Sequence, residues 1–175
     1  MKWFLSFMIG CASLCFSLEA ELFPSFHLYH PNGDIYTFPR GRRELVLFGF
    51  QYEAASHVKA WYRVFREEPE FLMHVDVLGV PVLPSFAKTE AIRNVVSSMV
   101  QRHLPTNLLD HVGFLFADTQ DVLEQLGVPQ DESATAHLFL IGEKGEVLWR
   151  DQGAPTPQML QQLEAAVRAD RLLDF

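Results

Sequence analysis

Apolar positions along the chain follow two rhythms. Leu45 to Phe50 is an unbroken apolar run of strand length, as expected of a central strand covered on both faces. Phe26 to Tyr29 is a shorter apolar run, and Ile35 to Phe38 alternates. Between them Pro31-Asn32-Gly33-Asp34 is a turn signal, because Asn and Gly tolerate positive φ, so the three stretches predict a hairpin. Val58, Trp61, Tyr62 and Phe65 fall at i, i+3, i+4 and i+7, the stripe of an amphipathic helix, which Pro69 stops. Met73 to Leu78 alternates, with β-branched Val75 and Val77, and predicts a strand; Gly79 to Pro84 reads as a proline-rich connection. Ile92, Val95, Val96, Met99 and Val100 form a second helical stripe, ended by Pro105. Val112 to Ala117 predicts another strand. Val122, Leu123 and Leu126 predict a short helix closed by Gly127.

The last third carries the clearest signals. His137 to Ile141 and Glu146 to Arg150 read as strands joined across Glu143-Lys144-Gly145. Thr156-Pro157 then opens a helix: Thr caps orphan amides and Pro is tolerated at the first helical position. Leu160, Leu163 and Val167 give that helix its buried face. Strands alternating with helices predict an α/β fold, a central mixed sheet flanked by helices with an N-terminal β-hairpin. There is no internal repeat or low-complexity tract.

Composition narrows the function classes. Hydrophobic residues make up 49% of the chain, which affords a packed core. A net charge of −8 argues against a nucleic-acid partner, which calls for a basic surface. The one basic run, Arg40-Gly41-Arg42-Arg43, precedes a strand and reads as a solvated loop, with an anion or lipid headgroup as its other reading.

The first twenty residues read as a secretory signal, which leaves residues 21–175 as a single domain. Lys2 supplies the positive start, Trp3 to Leu18 the apolar stretch, and Ala20 or Ser17 the cut. An uncleaved anchor and a lipidated Cys11, after Met8-Ile9-Gly10, are the alternatives, and either would tie the protein to a membrane. The expected location is thus periplasmic or secreted, or else membrane-associated. Cys11 and Cys15, the chain's two cysteines, both lie in this segment. Cleavage would leave a mature chain without disulfide or thiolate chemistry.

A family likeness enters through "FLIGEKGEVLWRDQGAPTPQMLQQL" and "PSFHLYHPNGDIYTF". These resemble the C-terminal segment and the N-terminal hairpin of thioredoxin-like and peroxiredoxin-like proteins. More narrowly, Leu45 to Val167 resembles the mitochondrial ATP-synthase assembly factors (the ATP ten family) and periplasmic thioredoxin-fold proteins that lack redox cysteines. The narrower likeness rests on "LVLFGF", on Trp61 followed by Phe65, on "FLIGEKGEVLW" and on "GAPTP". The resemblance implies a thioredoxin-like fold. It also implies a reactive turn at Gln51-Tyr52-Glu53-Ala54-Ala55-Ser56-His57, which here holds no cysteine. Redox thioredoxins place a cis-proline before the late strand; here Thr135 or Ala136 stands there.

Candidate chemistry is sparse. His57 and Ser56, at the start of a helix, could hold an anion; capping by Ser56 with an exposed His57 is the plainer reading. Glu53 is a lone carboxylate. His27 and His30 fall on opposite faces of a strand. His74, His103, His111 and His137 are scattered, and no Cys/His spacing suits a metal. The aromatic cluster Trp61, Tyr62, Phe65 and Phe71 reads as core before binding face.

The expected function is therefore an exported, non-catalytic thioredoxin-fold protein, without cofactor or metal. It would hold a protein or peptide client in a groove of Tyr52, Glu53, Ala54, Ser56, His57, Thr135 and Ala136. A role as assembly factor or chaperone, and a membrane-protein client, are implied only by the resemblance. The alternatives are a thioredoxin- or peroxiredoxin-related oxidoreductase with a cryptic or borrowed redox centre, and a structural envelope lipoprotein.

Overall fold

A computed structural model describes residues 21–67, 75–103 and 106–171. Strand β1 (Phe26–Tyr29) and strand β2 (Ile35–Phe38) form the antiparallel hairpin in register Phe26↔Phe38, turned at Gly33 with φ +98°. Strands β3 (Glu44–Gly49), β4 (Asp76–Leu83), β5 (Leu115–Phe116), β6 (Ala136–Ile141) and β7 (Val147–Gln152) build one sheet in the order β5-β4-β3-β6-β7. The β3–β4 and β4–β5 pairs are parallel; β6 and β7 add on antiparallel. Among the described residues four α-helices flank the sheet: α1 (Ala54–Glu67), α2 (Glu90–His103), α3 (Thr119–Gln125) and α4 (Pro157–Arg171). The predicted α/β class with a mixed central sheet and an N-terminal hairpin is what the chain adopts.

Side-chain alternation divides the core between the two sheet faces. On one face Leu45, Leu47, Leu138 and Leu140 meet Trp61 and Phe65 of α1 and Met159, Leu163 and Val167 of α4. On the other, Val46, Phe48, Val80 and Phe139 meet Phe26, Leu28 and Phe38 of the hairpin and Val122 and Leu123 of α3. Phe23 anchors this second cluster with edge-on contacts to Phe38 and Phe139 at 5.5 and 5.3 Å. The predicted Thr156 cap forms, and Asp118 caps α3 as well. Thr156 Oγ1 accepts from the Met159 amide at 3.2 Å, and Asp118 accepts from Gln120 at 2.9 Å.

Three sequence expectations change. Strand β4 continues through Gly79, Val80 and Pro81 to Leu83, where a connection was predicted. Pro81 stands opposite Gly49, where the β3 ladder ends, and the β5 ladder begins one residue later at Val82, so the strand accommodates a residue without an N–H. The predicted strand at Val112 to Ala117 shrinks to a two-residue ladder, because Phe114 turns its backbone to Tyr29 of the hairpin, at 2.8 and 2.9 Å. The α2 stripe is only half covered. Val96 and Val100 pack on Phe114 and Phe116, while Val95 and Met99 remain 61% and 57% exposed. Pro69, Phe71, Met73, His74 and the leader lie outside the described residues.

Charge organises the lower end of the sheet, where β3 begins. Glu44 is fully buried and pairs with Arg40, whose backbone N–H it also accepts at 3.1 Å; Arg42 bridges Glu44 and Asp76. Arg43 pairs with Asp170 near the end of α4. The basic run of the sequence is thus largely consumed by ion pairs that lock the β2–β3 connection to the sheet and to α4.

Candidate functional site

The turn from β3 into α1 is built by backbone bonds. After Phe50, which is buried, the amides of Ala54, Ala55 and Ser56 donate to the carbonyls of Gln51, Tyr52 and Glu53 at 3.2, 3.1 and 3.3 Å. The Ser56 hydroxyl also donates to the Glu53 carbonyl, at 2.9 Å. Ser56 therefore lies inside the first turn and does not accept from a helix amide as a cap would. Tyr52 projects from the turn at 91% exposure, and Gln51, Glu53 and Ser56 are exposed as well.

The start of β6 lies against this turn. Ala136 stands opposite Gly49 in register, and its backbone N–H donates to His57 Nδ1 at 3.4 Å. That bond needs a bare Nδ1, so the proton of the neutral ring sits on Nε2. A Cβ on Gly49 would lie 3.6 Å from the Ala54 Cβ, so small residues let strand, turn and helix approach closely. Of the seven residues expected to form the groove, the structure joins His57 to Ala136 directly. Tyr52, Glu53 and Ser56 lie at the surface; Ala54 and Ala136 are buried beneath it. Thr135 turns its hydroxyl to the Glu132 carbonyl at 2.8 Å, an acceptor shared with His137 Nε2 at 3.0 Å.

Tertiary structure adds partners that the sequence reading missed. Gln51 Nε2 donates to the Ser133 hydroxyl, tying the turn to the loop before β6. Beside them opens a cavity of about 470 Å³, lined in part by Gln51, Pro84, Phe86, Ala117, Thr119 and Ser133. It sits past the carboxyl ends of the parallel strands, where open α/β sheets place their ligands. That rule, applied to Phe86 just after β4, was the signal available. Among the described residues no three His, Cys, Asp or Glu side chains cluster as metal ligands, and no helix is long and apolar enough to cross a membrane.

No family model matches the chain, and no curated protein matches it. Solved structures do. BsSco, described as a member of the Sco family of cytochrome c oxidase assembly proteins with a disulfide switch, aligns at TM-score 0.56 and 15% identity, over 85% of this chain and 95% of its own. A DsbE-type thiol:disulfide interchange protein from Chlorobium tepidum aligns at TM-score 0.55 and 17% identity, over 85% and 96%. The exposed lipoprotein thioredoxin Etrx1 from Streptococcus pneumoniae aligns at TM-score 0.52 and 17% identity, over 81% and 99%. The fold is thioredoxin-like. The narrower likeness to ATP-synthase assembly factors is not among these matches.

These neighbours overturn the expected non-catalytic client binder. They are named for thiol–disulfide exchange and for an oxidase-assembly protein with a disulfide switch, and they favour the oxidoreductase alternative. The expectation rested on cleavage of the leader removing both cysteines, and the leader lies outside the described residues. A missing cysteine between Gln51 and His57 says nothing of Cys11 and Cys15.

Proposed function

We propose that the protein is a thioredoxin-related oxidoreductase of the cell envelope whose sulfur lies outside the strand–turn–helix, in Cys11 and Cys15. The observation that carries this reading is the exposed β3–α1 turn held against the start of β6, in a fold shared with structures named for thiol–disulfide work. The sequence supplies two sulfhydryls, with three residues between them, to serve it.

The exchange balances with those two groups. One cysteine thiolate attacks a sulfur of the substrate disulfide, and the other substrate sulfur leaves as a thiolate. The second cysteine then attacks the mixed disulfide, releases the remaining substrate thiolate and closes Cys11–Cys15. Two electrons pass to the substrate, and an external dithiol donor restores the pair. Tyr52, Glu53 and Ser56 are the exposed surface of the turn against which a disulfide-bearing segment would lie.

Mass spectrometry of the exported protein together with an insulin-reduction assay tests this. The expected result is a chain that retains both cysteines and whose activity is abolished in Cys11→Ser/Cys15→Ser. A mature start beyond Cys15, or activity unchanged in the double variant, would sink it.

An envelope lipoprotein is the second reading, favoured by Met8-Ile9-Gly10-Cys11 and in keeping with a neighbour named as a lipoprotein. Acylation would consume the Cys11 thiol and leave Cys15 to form mixed disulfides only. Labelled palmitate lost on Cys11→Ser distinguishes the two. The resemblance to ATP-synthase assembly factors would set either form beside a membrane complex, and partners trapped as mixed disulfides would identify it, on Cys15→Ser in the dithiol form and on Cys15 itself in the acylated form.

A further inference from the structure

A second cavity, of about 180 Å³, lies between the β1–β2 hairpin, α2 and the β5 segment, and none of its lining residues belongs to the turn site. Tyr29, His30, Glu90, Arg93, Asn94 and Ser97 contribute its polar and aromatic wall. Arg93 is the unusual member. Its guanidinium lies over the Tyr29 ring, 5.0 Å from the centroid, and its Nε is shut from solvent with no hydrogen-bond acceptor. No carboxylate among the described residues forms an ion pair with it.

Buried donors are almost always satisfied, and a buried, unpaired donor of a charged group is costly. An arginine whose charge is held over an aromatic ring still offers its outer N–H donors to an oxyanion. Ser97, one helical turn beyond Arg93, adds a hydroxyl, and Asn94 an amide. His30 is already engaged: its Nδ1 accepts from the Asn32 amide at 3.2 Å, and its Nε2 lies 3.3 Å from Asp110. Glu90 is the one carboxylate of the lining and opposes an anion.

The geometry points to an oxyanion site: Arg93, supported by Ser97 and Asn94, binds a single carboxylate or phosphate group in this cavity. The group supplies an acceptor to a guanidinium that has no carboxylate partner among the described residues. A free anion and an acidic side chain of a partner protein offer the same chemistry.

Titrating the full-length protein with inorganic phosphate, with acetate and with a short Asp/Glu peptide, followed by amide NMR shifts of residues 94, 97 and 33, tests the site. Saturable shifts in the wild type are expected with at least one probe. The affinity should fall roughly tenfold or more in Arg93→Gln. It should fall less in Ser97→Ala, which leaves the stack on Tyr29 intact, and rise in Glu90→Gln. Preference for phosphate identifies a free or esterified phosphate; preference for the peptide identifies an acidic partner segment. Shifts that never saturate with any probe, or equal affinities in wild type, Arg93→Gln and Ser97→Ala, overturn the proposal.

Discussion

Tyr62 shows how much a single side chain of this fold can be asked to do. Its hydroxyl donates to the His111 carbonyl at 2.8 Å, and His111 Nδ1 in turn lies 2.9 Å from the Val77 carbonyl. One phenol thus helps fix the loop before β5 against β4. A Cβ added at Gly79 would come within 2.9 Å of that hydroxyl, against 3.6 Å to Tyr62 Cε2 and 3.7 Å to the His111 carbonyl oxygen. Gly79→Ala should therefore destabilise by about 1–3 kcal/mol. The cost should shrink by roughly 1 kcal/mol in a Tyr62→Phe background, where the offending atom is gone. Urea midpoints of the four proteins of this cycle check the coupling; additive losses would mean that the clash is not with the phenol. Burial also pushes the Tyr62 hydroxyl far above its ordinary range. The unfolded chain releases that proton near pH 10 while the folded chain holds it, so this contribution is complete below about pH 10 and is lost as pH rises further. Unfolding midpoints measured from about pH 8 to about pH 11 should fall more steeply for wild type than for Tyr62→Phe.

Elements differ in how openly the sequence declares them, and the reason lies in how many neighbours define each one. Helix α4 was legible from Thr156 to Val167 because its cap and its stripe are both local. Asp118→Ala and Thr156→Ala should each cost about 1 kcal/mol, and add when combined, since each removes one satisfied amide at a separate helix end. Thermal melts read both. Strand β4 was misread because Pro81 is a local stop signal whose tolerance depends on where the β3 and β5 ladders end, which the sequence does not print. Helix α2 was placed correctly, but its five apolar residues span more arc than the small cluster of Phe114 and Phe116 can cover. Met99→Lys should change stability by less than about 0.5 kcal/mol. Val100→Ala, on the packed side, should cost about 1–2 kcal/mol. The turn site was legible in part: the thioredoxin resemblance implied that residues 51–57 lie beside the start of β6. The Gln51–Ser133 bond and the cavity beside Phe86 were not, because they depend on where a short helical turn, Gln130–Glu132, settles in three dimensions.

At the scale of the whole molecule, the question is whether the scaffold still provides what a thiol needs. Helix α1 aims its amide end at the turn, and such an end stabilises a thiolate and lowers its pKa below the ordinary value of about 8.5. Glu53 and Ser56 are exposed, flank that end and are spaced as a Cys-x-x-Cys pair. A chain carrying Glu53→Cys and Ser56→Cys, with Cys11 and Cys15 replaced by Ser, isolates the scaffold from the leader. If the architecture retains redox competence, the thiol at position 53 should titrate below about 7.5, the pair should oxidise to a disulfide, and the protein should reduce insulin with a dithiol donor. The second point of control is His57, whose Nδ1 is held by the Ala136 amide. His57→Ala in the same background should leave the fold intact and move the thiol titration only if the imidazole senses the new thiolate. A thiol at position 53 that titrates near its ordinary value, in a correctly folded protein without insulin-reducing activity, would show that the turn has lost the electrostatics of an exchange site along with its sulfur. The burden of any redox function would then fall on Cys11 and Cys15 without help from the fold.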